Sequence, residues 1–348
     1  MPPFSPSQRV VILGAGATVG ASFAETATVR PPLNADFFTQ LQRMVGKHEG
    51  AAREVIRDVV QLFGPNFSLT LEDYFSQLES MIDASRLTSR SVQKLTAAQL
   101  RQRRDRLMKA LAAVLEASTD EAIRTRSGCS RHDQLVEILE PRDTIISFNY
   151  DCVVDDALRR SGNGKWSARY GYAFSTPSRV RDDGVAHWNP SVPASGAGKT
   201  IYLLKLHGSL NWKLPSEADG EIVLKQRLHQ QRGTPQFTIV PPTWNKQQHD
   251  HPIFEDLWRK AERAIRHART VAIVGFSFTP TDLHVEAVVR LALARSNSLK
   301  LLLIANPSRS DRQRIRTVFS RALNNQRAIV RQYEDFEQFV GALPSCLA

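Results

Sequence analysis

Residues 10–20 read Val-Val-Ile-Leu-Gly-Ala-Gly-Ala-Thr-Val-Gly, and this stretch constrains the fold more than any other. Four apolar residues are far too few to span a membrane and suit a parallel strand buried on both faces. The glycines after them let the backbone turn sharply and approach a ligand closely. A helix starting near Thr18 would aim its unpaired N–H groups and the positive end of its dipole at whatever lies above the strand. Dinucleotide pyrophosphates bind in that setting. The spacing Gly14-x-Gly16-x-x-x-Gly20 is one residue longer than the usual dinucleotide fingerprint. Pro31-Pro32 and a helical stretch follow where a second strand with an acidic ribose ligand is expected, which disfavours an ordinary NAD dehydrogenase. The turn is expected to hold a nucleotide, with a tight turn that binds no ligand as the lesser alternative for this motif alone.

Residues 34–140 are helical in pattern. Helices are expected over 34–44, 51–63, from Thr70 onward and over 97–115. In the second, Val55, Ile56, Val59, Val60 and Phe63 share a face. Thr70-Leu71-Glu72-Asp73 has the form of a capping box, opening a helix with Leu71, Tyr74, Phe75, Leu78 and Ile82 on one side. About a hundred helical residues are too many for a crossover, so this segment reads as an insertion or cap. Strands are expected at 143–148, 201–206 and 237–240, with a short helix at 153–158 and a long, functional loop region at 161–199. From 252 the rhythm is regular: helix 252–268, strand 270–274, helix 282–293, strand 299–305, helix 311–323, strand 328–332, helix 334–343. Alternation of this kind gives an α/β fold, a Rossmann-like doubly wound parallel sheet. Residues 9–33 and 141–348 form the nucleotide-binding core of one domain, and 34–140 the helical insertion.

Composition excludes several classes. No run of 18 apolar residues exists, and the opening Met1-Pro2-Pro3-Phe4-Ser5 lacks the features of a signal peptide, so the cytoplasm is the expected compartment. Cys129, Cys152 and Cys346 are too few and too scattered for a disulfide framework or a four-thiolate zinc site. His249-Asp250-His251 resembles a metal-ligand cluster, but adjacent side chains point apart and no metal is expected. The net charge of +11 favours polyanionic or acidic partners, nucleic acid among them. The densest basic runs, 101–106 and 309–316, read as solvated helix faces without the aromatics that stack bases. Trp212 and Trp244 read as packing residues.

Ligands in open α/β sheets bind beyond the carboxyl ends of the strands. Those ends carry Gly14-Ala15-Gly16, Asn149-Tyr150-Asp151, His207-Gly208-Ser209, Gly275-Phe276-Ser277 and Asn306, each offering glycine, a small polar group or a titratable group. Asn149 can donate and accept at once, which suits placing a water or a ribose hydroxyl. Asp151 can stabilise positive charge, and His207 titrates near neutrality and can accept a proton. Asn149 and Asp151 as helix caps, and His207 as an interior histidine, are the structural alternatives. Asp282 reads as a cap before a helix, with a ribose contact as its lesser reading.

This set resembles the sirtuin fold, especially the bacterial sirtuin-like NADase branch of anti-phage defence. The motifs are Gly14-Ala15-Gly16-Ala17, Ser147-Phe148-Asn149-Tyr150-Asp151, Lys205-Leu206-His207-Gly208-Ser209, Gly275-Phe276-Ser277-Phe278 and Ile304-Ala305-Asn306-Pro307, in the family's order. The resemblance implies NAD as substrate. Gly14, Ala15, Gly16, Ala17 and Thr18 would lie at its pyrophosphate, and Gly275, Ser277 and Asn306 at phosphate and ribose. Asn149, Asp151 and His207 would be catalytic. Deacetylating sirtuins carry a four-cysteine zinc module, whereas no cysteine lies between Cys152 and Cys346 here. The resemblance therefore implies cleavage of the nicotinamide–ribose bond rather than NAD-dependent deacylation. It further implies a partner protein such as an ATPase or an Argonaute-like protein, and the large helical insertion, of a kind that often makes subunit contacts, leads us to expect a homo-oligomer. A non-catalytic nucleotide or nucleic-acid scaffold is the alternative from another class.

Overall fold

Six strands form one parallel sheet: β1 (Arg9–Leu13), β2 (Thr144–Ser147), β3 (Tyr202–Lys205), β4 (Thr270–Val274), β5 (Leu301–Ala305) and β6 (Ile329–Tyr333). The computed structural model describes residues 4–85, 95–125, 130–175, 178–180, 200–214, 222–224, 237–243 and 252–347. The strand order is 3-2-1-4-5-6, the doubly wound arrangement expected from the alternating pattern. Val10 pairs with Thr144 on one side and Val271 on the other. Every residue of β2 and β3 is buried, while the edge strand β6 exposes much of its length, as a two-layer covering dictates. Chain direction across the sheet reverses between β1 and β4. A crevice opens at such a switch point.

Two sets of helices cover the sheet. Ser130–Glu137, Val153–Ser161 and Phe336–Leu347 pack together, as do Pro252–His267, Leu283–Ala294 and Arg309–Gln326. The segment before β2 builds a separate apolar core from Phe37, Leu41, Val55, Val59, Tyr74, Phe75, Leu78, Leu107, Leu111 and Leu115. Its helices are Phe37–Gln42, Glu49–Phe63, Leu71–Ala84 and Ala97–Thr125. Helix Ser130–Glu137, which follows them, packs instead into the sheet core through Leu135 and Val136.

Several expectations change. The helix after β1 begins at Ala15, not Thr18, and lasts one turn to Val19 before Gly20 ends it. The helix expected over 34–44 is confined to Phe37–Gln42, because the Asp36 carboxylate bonds the Leu33 N–H and holds the preceding turn. Residues 238–239 pair antiparallel with Gly208–Ser209 and stay outside the main sheet. Gly208 permits this: its φ is +80°, and a Cβ there would meet the Thr238 carbonyl at 2.2 Å. The expected loop at 161–199 contains a helical turn at Ala168–Gly171 and a strand at Ser178–Val180. The basic run at 101–106 is not simply solvated. Arg103 is buried against Asp58 and Gln61, and Arg106 also pairs with Asp58, tying two helices of the insertion together. Cys129, Trp244 and His249-Asp250-His251 lie outside the described residues. Trp212 is buried edge-on against Tyr172 and Phe174.

One buried group ties stability to pH. His132 lies in the core against the Phe336 ring, and burial, aided by the Arg160 charge, lowers its pKa to about 3. The unfolded chain then binds more protons than the folded one between that value and the ordinary 6.5. Stability is therefore complete above about pH 6.5 and falls as pH drops through that window, by about 2 kcal/mol at pH 5. His132→Phe is expected to remove this acid sensitivity, measured as the ratio of urea midpoints at pH 7.5 and pH 5.

Candidate active site

The carboxyl ends of β1, β2, β4 and β5, with His207 just beyond β3, meet the insertion around one cavity of about 600 Å³. That volume falls within the range of small-molecule sites. Of the residues singled out from sequence, Ala15, Gly16, Thr18, Asn149, Asp151, His207, Gly275, Ser277 and Asn306 line it. Gly14 and Ala17 do not: Gly14 lies beneath the Gly275–Phe276 backbone, and Ala17 is fully buried.

Two loops cross at the switch point with no room for side chains. A Cβ on Gly14 would stand 2.5 Å from the Gly275 carbonyl oxygen, and one on Gly16 2.8 Å from the Gly275 Cα. Gly275 itself has φ of +61°, open to glycine at little cost. The N–H groups of Gly14, Gly16 and Ala17 donate to Val274, Gly275 and Gly14 carbonyls. The simple picture of a helix terminus offering all its donors therefore does not hold here. What the crossing provides is a bare backbone surface on the cavity wall.

Asn149 is the best-defined polar group. Its Nδ2 donates to the Gly14 carbonyl and to Thr18 Oγ1, both at 3.0 Å. These bonds fix the carboxamide plane, and Oδ1 is left buried with no hydrogen-bond partner among the described residues. A buried acceptor of that kind requires a partner from elsewhere. Asp151 is committed to the fold. Its Oδ2 accepts from Thr18 Oγ1 at 2.9 Å and its Oδ1 from the Val153 N–H at 3.0 Å, opening helix Val153–Ser161. Burial raises its pKa above the ordinary carboxylate value, opposed by the Lys205 charge and by these two bonds.

His207 is buried, its ring edge-on to Phe148 at 5.1 Å and tilted to Tyr150 at 6.2 Å. Phe148 stacks on Phe276 at 4.4 Å, so the aromatic floor joins β2 to β4. Beneath lies a buried polar network. Lys205 Nζ donates to the Asp151 carbonyl at 2.5 Å and to Asp155 Oδ2 at 3.0 Å. Asp155 accepts from Tyr172, which accepts from Asn211 at 3.0 Å. Burial lowers the Lys205 pKa, but Asp155, Cys152 and Asp151 outweigh it, so the ammonium is held charged. Lys205 and Asp151 each stand two residues from His207 and Asn149, so this bond sets the two strand ends in register.

At the other end, Asn306 Nδ2 donates to Ser277 Oγ at 3.2 Å and Ser277 Oγ to Asp311 Oδ2 at 3.0 Å. Arg312 and Arg314, from the second basic run, brace these loops by donating to the Asn306 and Ser277 carbonyls. The sequence gives no sign of Glu72, Thr279 and Asp311 as cavity residues, while Tyr150, from the strand-end motif, and Asp282 line it too. Asp282 accepts from Thr279 Oγ1 at 2.8 Å and makes no side-chain cap. The capping box around Glu72 was the one signal that its first turn is rigid. Among the described residues no group of three or more metal-ligating side chains is present, and no helix is long and apolar enough to cross a membrane.

A family model for the SIR2-like domain matches residues 143–330, more than half of the chain. The match contains Asn149, Asp151, His207, Gly275, Ser277 and Asn306, while the glycine turn after β1 lies before it. No curated protein matches the chain significantly. With the doubly wound sheet and the match agreeing on one fold, the chain belongs to the SIR2-like domain family of NAD-using enzymes.

Proposed function

We propose that the protein is an NAD+ glycohydrolase that cleaves the nicotinamide–ribose bond to give nicotinamide and ADP-ribose. The observation that carries this is the Asn149 carboxamide, locked by Gly14 and Thr18 with its oxygen unpaired, on the wall of the cavity that His207 also lines. The fixed oxygen accepts from a ribose hydroxyl or the attacking water. The glycine crossing accommodates the pyrophosphate, and the Ser277–Asn306 loops lie toward the adenosine half. Asp151, with both oxygens engaged, acts as a positioning residue for Thr18 and hence Asn149.

In the reaction the C1′–N bond breaks with its electron pair retained by the pyridine nitrogen, and nicotinamide leaves neutral. The ribosyl carbon becomes oxocarbenium-like, as in other glycosyl transfers. Water adds through oxygen at C1′, and its proton passes to the His207 imidazole and then to solvent. The aromatic floor and the insertion keep other water away.

The sequence resemblance supports the wider setting. It is a cytoplasmic defence effector that depletes NAD as a homo-oligomer, switched on by a partner such as an ATPase or an Argonaute-like protein. The charge of +11 supports nucleic acid as part of that signal. The test is incubation of protein with NAD+, alone, with nucleic acid and with an acylated peptide. Equal amounts of nicotinamide and ADP-ribose without peptide are expected. Nicotinamide release that requires the peptide would replace this reading with deacylation.

A further inference from the structure

We infer that Glu72, supplied by the helical insertion, makes the site selective for the oxidised, cationic pyridinium ring over its neutral reduced form. The inference rests on the NAD+ reading above and deepens it. Glu72 stands in the first turn of helix Leu71–Ala84, where the Thr70–Asp73 capping box fixes the backbone. Its N–H donates to Asn34 Oδ1 at 2.8 Å. Its Oε2 accepts from Asn34 Nδ2 at 3.0 Å and from Thr281 Oγ1 at 2.8 Å. The residue is 8% exposed, so the carboxylate cannot swing into solvent. The two donors hold it in place.

Its position in the cavity follows from its neighbours. Glu72 lines the same cavity as Asn149, Tyr150 and His207. Thr281, which donates to Glu72, lies three residues before His284, whose ring packs edge-on to Trp258 at 4.6 Å, and Trp258 in turn stands 6.5 Å from the His207 ring, so the carboxylate lies on the His207 side of the cavity. Among the described residues lining the cavity none is Lys or Arg. The buried, unpartnered Asn149 Oδ1 independently marks this end as a ligand position. A fixed negative charge beside a ligand in a water-poor cavity favours a positive group over a neutral one of the same shape. The pyridinium already carries its charge before the bond breaks, and the charge then moves only as far as the ribosyl carbon. Glu72 therefore acts on binding more than on kcat.

The experiment uses calorimetry on the full chain with two dinucleotides that the enzyme cannot cleave. These are carbocyclic NAD+, whose ring is cationic, and NADH, whose ring is neutral. The wild-type protein is expected to prefer carbocyclic NAD+ by about tenfold or more, the scale of one retained ion pair. Glu72→Gln keeps an acceptor for Asn34 and Thr281 but loses the charge. It should weaken carbocyclic NAD+ by about tenfold, leave NADH within about twofold and raise KM for NAD+ more than it lowers kcat. Glu72→Asp should restore the preference. Equal affinities in the wild-type protein, or equal weakening of both ligands by Glu72→Gln, would overturn the inference and leave Glu72 as a tie between insertion and core. Failure of carbocyclic NAD+ to bind would overturn the dinucleotide reading itself, and this inference with it, whereas binding of carbocyclic NAD+ with none of NADH is the preference in its strongest form.

Discussion

His207→Ala is expected to lower kcat for nicotinamide release by about 10²–10⁴-fold with little change in KM, the range for loss of a general base. The imidazole sits at the end of β3, held by the Phe148 edge contact, and its backbone carbonyl accepts from the Val240 N–H at 2.8 Å. Removing the ring leaves that backbone bond intact, so the fold should survive and the loss should appear in the chemical step. Asn149→Ala should be at least as severe. It removes the Nδ2 bonds to Gly14 and Thr18 as well as the unpaired Oδ1, and so loosens the turn that the pyrophosphate needs. Asn149→Asp is the sharper variant. It preserves shape and the acceptor but cannot donate to the Gly14 carbonyl, and it sets a second buried carboxylate near Asp151. Both Asn149 variants should lose kcat, and Asn149→Asp should also lose stability as pH rises and the new group ionises. An Asn149→Ala or His207→Ala protein with full turnover would remove the site assignment.

Gly275→Ala is expected to destabilise the fold by about 3 kcal/mol or more, among the larger effects of single substitutions. Two costs combine. A left-handed φ of +61° costs an alanine about 1–2 kcal/mol. The added Cβ would lie 2.1 Å from the Ala17 nitrogen and 2.3 Å from the Gly16 carbonyl carbon, which are backbone atoms of the crossing turn. Neither can withdraw without parting the ends of β1 and β4, which the Gly14–Val274 and Gly16–Gly275 hydrogen bonds join. Urea unfolding measures the loss. Gly50→Ala is the control, because a Cβ there meets nothing within 4 Å inside helix Glu49–Phe63. It should be neutral or stabilising by up to about 1 kcal/mol. Equal midpoints for Gly275→Ala and the wild type would show that the crossing is not tight.

What could be read from sequence followed from period and punctuation. The strands β1, β4 and β5 announce themselves as short apolar runs closed by glycine or Asn-Pro, because a strand buried on both faces has no polar alternation to blur it. The strand-end residues could be gathered into one site because parallel strands all deliver their carboxyl ends to one side of the sheet. Other features depend on contacts distant in sequence. Glu72 looks like an ordinary capping-helix residue until Thr281, 209 positions away, donates to it. Asp311 and Ser277 meet only because β5 lies beside β4. The arginines at 103 and 106 read as a solvated face because helical periodicity does not reveal that Asp58 approaches from another helix. The helix after β1 starts earlier than its pattern suggests for a local reason: Gly16 and Ala17 already take helical geometry once the Gly275 carbonyl receives the Gly16 N–H.

The most direct measurement is a crystal structure of the wild-type protein with ADP-ribose, the expected product. The pyrophosphate is expected against the bare backbone where Gly14–Gly16 crosses Gly275, the adenosine toward Ser277 and Asn306, and the terminal ribose hydrogen-bonded to Asn149 Oδ1 beside the His207 ring. Density for the ligand elsewhere on the molecule, or a terminal ribose turned away from Asn149 and His207, would contradict the proposed site.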